Sequence, residues 1–310
     1  MLTTSSLEPI AQTKQVQPHP KLGLVCITTS PAVRYKTLTR KRLLEMNEPK
    51  QTEALEILYA ENLKRLNLAI DFCHVNQIQL YRLISNLFPF SDTPLGTNIL
   101  EALAVPLRQF GDRAQASGIR LVMHPDQFVV LNSDNPSVIE NSITILTAQA
   151  RWLDLMGLPQ SGWSAMNVHG GKGDRAERLV QTIRSLPFSI RSRLTLENDE
   201  HTYSAAEILD ICHAAQVPMV FDAHHHLIHE RLESYEDPSV AQILAEARST
   251  WQRPDWQLVH ISNGRETLHD PRHSDLIWTM PTAFWNAPWI EVEAKHKEQA
   301  IAKLQQEGWG

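Results

Sequence analysis

The chain has 310 residues, 42% of them hydrophobic, enough to bury one large core in a single domain. A formal net charge of −6 excludes a uniformly basic nucleic-acid binder, so any contact with nucleic acid has to be local. Three cysteines, Cys26, Cys73 and Cys212, widely spaced and without a CxxC pair, exclude a disulfide scaffold and thiolate metal sites and point to a reduced, cytoplasmic setting.

Residues 1–20 (MLTTSSLEPIAQTKQVQPHP) lack the charged and apolar regions of a signal peptide and read as a flexible N-terminal segment ahead of one domain spanning 21–310. No apolar run approaches the roughly 18 residues of a membrane span, so the expectation is a soluble protein. The first strand is predicted at LGLVCI (22–27). RYKTLTRKR (34–42) follows with Arg34, Lys36, Arg40, Lys41 and Arg42 and no acid, which suits either phosphate contact or a solvated loop. Leu55, Leu58, Tyr59, Leu66, Ala69, Ile70 and Cys73 then form the apolar stripe of a helix.

Further strands are predicted at IQLYRLI (78–84) and IRLVM (119–123). A second helical stripe, Ile139, Ile143, Leu146, Ala150 and Leu153, separates these from AMNVH (165–169). A basic stretch over 172–193 leads to RLTLE (193–197), and VPMVFD (217–222), WQLVH (256–260) and WIEVE (289–293) complete the series. Eight strands alternating with helices predict parallel βαβ units closed into a (β/α)8 TIM barrel. An open doubly wound sheet fits less well, because no GxGxxG follows the first strand.

The C-terminal ends of predicted strands three to eight read His124, His169, Glu197, Asp222, His260 and Glu293. Asp and Glu number 35 and His 14, so six such ends would coincide by chance about once in 10^5, or about once in 10^3 with freedom of register. In a barrel these ends converge on one mouth, where divalent ions could share them. Asp222 and His225 form a D-x-x-H turn, and His273 in HDPRHSD is a further ligand candidate. Glu291 and Glu293 share a face of the last strand, and Glu293, nearer the mouth, is the expected ligand. Asn198, Asp199 and Glu200 either orient ligands or cap the next helix. Imidazole and carboxylate without thiolate suit manganese, zinc, iron or cobalt better than magnesium, and two or three such ions suit phosphodiester hydrolysis.

The strings MHPDQF (123–128), NVHGG (167–171), LENDE (196–200), FDAHHH (221–226), VHIS (259–262), VEAKHKEQA (292–300) and YRLISNLFPF (81–90) resemble the UV damage endonuclease family from about residue 21 to residue 300. The resemblance implies a TIM barrel with a metal cluster, commonly manganese, that nicks double-stranded DNA immediately 5′ to UV photoproducts, cyclobutane dimers and 6-4 photoproducts. It places His124, His169, Glu197, Asp222, His225, His260, His273 and Glu293 as ligands. Glu197 is also a catalytic candidate, and so, from its position two residues beyond Glu293, is Lys295, which would offset phosphate charge or pair with Glu298. Gln127 and Phe128 would wedge into the duplex, with Tyr81, Arg34, Lys36 and Arg40 as further DNA contacts.

Phe128 stands where some relatives have Tyr, Leu24 where some have an aromatic residue, and Leu258 where some have a modified lysine that bridges metals. An apurinic-site endonuclease and a metal-dependent sugar isomerase are the alternatives on the same barrel. No obligate protein partner is indicated, and a monomer acting at the nucleoid is expected.

Overall fold

The computed structural model describes residues 19–310, so most of the N-terminal segment, residues 1–18, lies outside the described residues. Eight parallel strands close on themselves in chain order: β1 (Lys21–Val25), β2 (Leu80–Leu83), β3 (Arg120–Met123), β4 (Met166–His169), β5 (Leu194–Glu197), β6 (Met219–Asp222), β7 (Leu258–Ile261) and β8 (Trp289–Val292). Every strand falls within two residues of the run marked in the sequence. Closure is made by β1 on β8, registered from Lys21 opposite Trp289 to Leu24 opposite Val292. Helices fill the crossovers from β1 through β7, and a long loop with one 3-10 turn, Thr282–Asn286, connects β7 to β8.

The first apolar stripe lies on the helix Glu48–Val75, and all seven of its residues are buried. The second lies on Pro136–Leu155, where Leu146, Ala150 and Leu153 are buried but Ile139 and Ile143 are half-exposed. The first turns of that helix stand beside an open cavity lined by Val138, Asn141 and Ile145, so the stripe is covered only along its second half. Among the described residues no helix is long and apolar enough to cross a membrane.

Strand alternation divides the core in two. Leu22, Leu24, Tyr81, Leu83, Leu121, Met123, Leu194, Leu196, Phe221, Val259, Ile290 and Val292 face outward into the helix layer. Leu80, Val122, Ala165, Val220, Leu258 and Trp289 face inward and fill the lower barrel. Gly23 faces inward too: a Cβ there would come within 2.6 Å of Leu80 Cδ2, so only glycine leaves Leu80 its place.

Arg120 shuts the floor. Its Nε, Nη1 and Nη2 donate to the carbonyls of Trp163, Trp256 and Gly162 at 2.8, 2.9 and 2.9 Å. The guanidinium lies 4.8 Å from the Trp163 ring and 5.2 Å from that of Trp289. Hydrogen bonds and ring faces replace the water this buried cation has lost. Arg120→Met leaves three buried carbonyls without donors, and urea unfolding is expected to show a loss of roughly 3 kcal/mol. A loss under 1 kcal/mol would mean that the floor does not depend on Arg120.

Candidate metal centre

The strand ends meet around one carboxylate. Glu197, at the end of β5, is buried, and its two oxygens look in different directions. Oε2 is 3.3 Å from His124 Nε2 and 3.9 Å from His169 Nε2. Oε1 is 3.0 Å from His260 Nδ1 and 3.5 Å from His225 Nδ1. Asn167 Nδ2 donates to Oε2 at 2.6 Å, and Thr195 fixes Asn167 from the neighbouring strand. Three sets of side chains bring ligand atoms close enough to share an ion: His124, His169 and Glu197; Glu197, Asp222 and His225; and His260, Glu291 and Glu293. Glu197 belongs to two of them, which suits a carboxylate bridging two ions.

Asp222 ends β6 and caps its own following helix, accepting from the His225 amide through Oδ1 at 2.8 Å. Its other oxygen, Oδ2, is buried without a partner. A buried carboxylate oxygen with nothing donating to it is costly unless a cation lies there, so the donor set fits a divalent ion. Asn198 exchanges two 3.0 Å hydrogen bonds with the Asp222 backbone, and its carbonyl accepts from His225 Nδ1 at 3.0 Å. His124 likewise turns its Nδ1 to the Pro125 carbonyl at 2.9 Å, which aims Nε2 at Glu197. His273 comes from the long loop between β7 and β8, pinned by an antiparallel bridge to Gly264, and its Nδ1 is 4.0 Å from Glu293 Oε2.

Charge at the mouth is compensated by protons and one guanidinium. Burial pushes His260 down, but Glu197, Glu291 and Glu293 outweigh it and hold the ring well above the usual imidazole range. His225, despite burial, is lifted to about 9 by Asp222, Glu197 and Glu200. Burial raises Glu197, yet His260 and His169 with hydrogen bonds from His124 and His260 keep it well below the carboxylate range. Burial dominates at Asp222 and raises it.

Other residues marked in the sequence lie farther out. Gln127 and Phe128 occupy the loop after β3, with Phe128 73% exposed, and both line an open cavity of about 460 Å³ shared with His124, His169, Glu197 and Glu293. Arg40 lines a second cavity beside them. Lys36 is exposed on a segment whose backbone is held by Asn62. Arg34 spends its guanidinium on the Thr29 and Val33 carbonyls, which ties down its own loop. Lys295 is at the rim, 3.7 Å from Asp275, and Glu298 instead accepts from the amides of Thr29 and Ser30.

Tyr81 requires correction as a DNA contact. It is fully buried on the outward face of β2, and its hydroxyl donates to the Cys26 carbonyl at 2.7 Å beside Tyr35. The inward residue of that pair is Arg82, which the sequence reading missed. Arg82 Nη1 is 2.5 Å from Glu293 Oε1 and 3.3 Å from Glu291 Oε2. Strand alternation was the available signal, since it sends Arg82, not Tyr81, into the barrel. Leu258, in place of a bridging lysine, packs into the apolar layer beneath His260.

An ion entering this set has to displace the protons on His225 and His260, because only bare imidazole nitrogen ligates. Affinity for Mn2+ is therefore expected to rise with pH up to about 9, by as much as tenfold per unit for each proton released. Calorimetric titrations in buffers of different ionisation enthalpy count those protons. An affinity flat between pH 6 and 9 would show that the imidazoles are not displaced.

The family model described as UV-endonuclease UvdE matches residues 20–308. A UV DNA damage endonuclease of Nostoc sp. (strain PCC 7120) is 52% identical over 307 residues, covering 98% of this chain and 95% of that one. The UV DNA damage endonuclease of Deinococcus radiodurans is 48% identical over 288 residues, covering 92% and 94%. The solved structure of SacUVDE superposes with a TM-score of 0.77 at 25% identity, covering 94% of this chain and 99% of that one.

Proposed function

We propose, from the premise that this chain belongs to the UV-endonuclease UvdE family, that it nicks double-stranded DNA immediately 5′ to UV photoproducts, both cyclobutane dimers and 6-4 photoproducts, using a multinuclear manganese centre. Zinc and cobalt are the other ions the donor set would accept. The observation that carries this reading is the shared cavity: the Glu197-centred ligands and the exposed Gln127–Phe128 loop line one opening.

His124, His169 and Glu197 would hold one ion and Glu197, Asp222 and His225 another, with His260 and Glu293 of the third set, and His273 4.0 Å from Glu293, completing the shell. Ions so held supply an activated water and positive charge opposite the phosphate oxygens. The chain's own contribution is placement. Asn167 and Asn198 fix Glu197 and the Asp222–His225 turn, so the ligands need not reorganise when DNA arrives. Ser85 donates to Asp126 at 2.7 Å and steadies the loop that presents Gln127 and Phe128. An apolar ring standing in water gains a covered face when it enters a step from which damaged bases have left, and a lesion has already weakened that stack. Lys36 and Arg40, both exposed, would meet flanking phosphates and give an acidic protein a local basic contact. On this reading the chain acts as a monomer at the nucleoid, and Lys295 serves from the rim.

Nicking of supercoiled plasmid, irradiated or not, tests the activity. Only irradiated plasmid should be cut, with Mn2+ and not with EDTA, and Glu197→Gln and His124→Ala should cut at least a hundredfold more slowly. Cutting of abasic plasmid alone would favour an apurinic-site enzyme; no cutting with any divalent ion would refute the reading. Phe128→Ala is expected to weaken binding of a dimer-containing duplex ten- to a hundredfold, the worth of roughly 1–3 kcal/mol of base stacking, without lowering the melting temperature. Unchanged binding in a titration with labelled duplex would remove the wedge from the account.

A further inference from the structure

Glu291 and Arg82 are buried at the centre, and Glu291, although its oxygens fall within the third candidate set, spends one of them against His260. We propose that Glu291 is a positioning residue: its carboxylate takes the Nε2 edge of His260 and leaves Nδ1 as the nitrogen that faces the ion. The proposal rests on the metal-dependent reading above and deepens it.

His260 on β7 and Glu291 on β8 are registered directly opposite one another, so both side chains enter the barrel at the same height. Glu291 Oε2 is in direct contact with His260 Nε2, leaving no room for an ion between them. The other edge of the ring is spaced differently: Nδ1 is 3.0 Å from Glu197 Oε1 and 3.3 Å from Glu293 Oε1. Ligand atoms on adjacent vertices of one ion, each about 2.1 Å from it, stand about 3 Å apart. The Nδ1 edge, which hydrogen-bonds Glu197 Oε1 in the metal-free chain, therefore also has the spacing of a coordination shell, whereas the Nε2 edge is closed off by Glu291.

A carboxylate ion only accepts, so Glu291 keeps a ring proton on Nε2, and the proton that an entering ion displaces is the one Nδ1 shares with Glu197. Arg82 holds Glu291 in place, donating to Glu291 Oε2 at 3.3 Å and to Glu293 Oε1 at 2.5 Å from the same Nη1. One guanidinium thus sets the carboxylate that orients His260 and a carboxylate of the ligand set.

Two variants grade the effect. Glu291→Gln keeps an acceptor oxygen without charge; Glu291→Leu removes both. Titrating metal-stripped protein with Mn2+ by calorimetry, affinity should fall about tenfold for the first and up to about a hundredfold for the second. In Zn2+-loaded protein with 15N-labelled histidine, the His260 proton should sit on Nε2 in the wild type, and that signal should be lost in Glu291→Leu. A structural role alone would change melting but not this order or the protonated nitrogen. Affinity within twofold of wild type in Glu291→Gln, or a wild-type proton on Nδ1, overturns the proposal while leaving the metal-dependent reading intact. A wild type that takes up no Mn2+ overturns both. Glu291→Gln decides the matter if Glu291→Leu does not fold.

Discussion

The side chains at the barrel mouth are arranged around Glu197, whose two oxygens face two separate groups of imidazoles. Six ligand types at six strand ends would be six unrelated rim residues on an open sheet. Closure of β1 on β8 turns them inward to a common centre, and the buried carboxylate sets their spacing. Ordinary packing lies below it: apolar layers fill the lower barrel, so the polar cost of the site is confined to one end.

Two buried arginines show how differently the ends are built. Arg120 at the floor has no carboxylate in its first contacts and is solvated by carbonyls and ring faces, an arrangement that seals. Arg82 near the mouth is clasped by Glu291 and Glu293, an arrangement that orients. Both face inward and both bury a full positive charge, but only the second sits where ligand direction matters. A guanidinium suits each place because its planar fork can meet several fixed acceptors at once.

The barrel was legible because strand signals in a parallel sheet are short, apolar and bounded, and each was found within two residues. The ligand candidates were legible because strand ends have a known destination in this fold. Side-chain facing was read less well. Tyr81 was assigned to DNA from its motif alone, although one step of alternation places it under the helices and Arg82 in the barrel. Arg82 and Asn167 were missed as supports because they act through bonds between chain-distant segments, which no local pattern encodes, whereas of the two uses open to Asn198 its bonds to Asp222 are those of a residue that orients ligands. Charge pairing in the basic stretch at 172–193 was not legible either: Arg175 and Arg178 grip Asp134 at the surface, and Arg193 is buried against Asp154.

Among the described residues, the sealed floor makes the barrel a vessel that opens at its mouth. Ions, water and substrate must share the opening above Glu197, since Arg120 and its tryptophans block the other end. A duplex lying across that opening, as the proposed function requires, also lies across the path by which ions come and go. Order of arrival would then become part of the chemistry: the centre would be loaded before DNA docks, and a chelator added afterwards would have to wait for the duplex to leave.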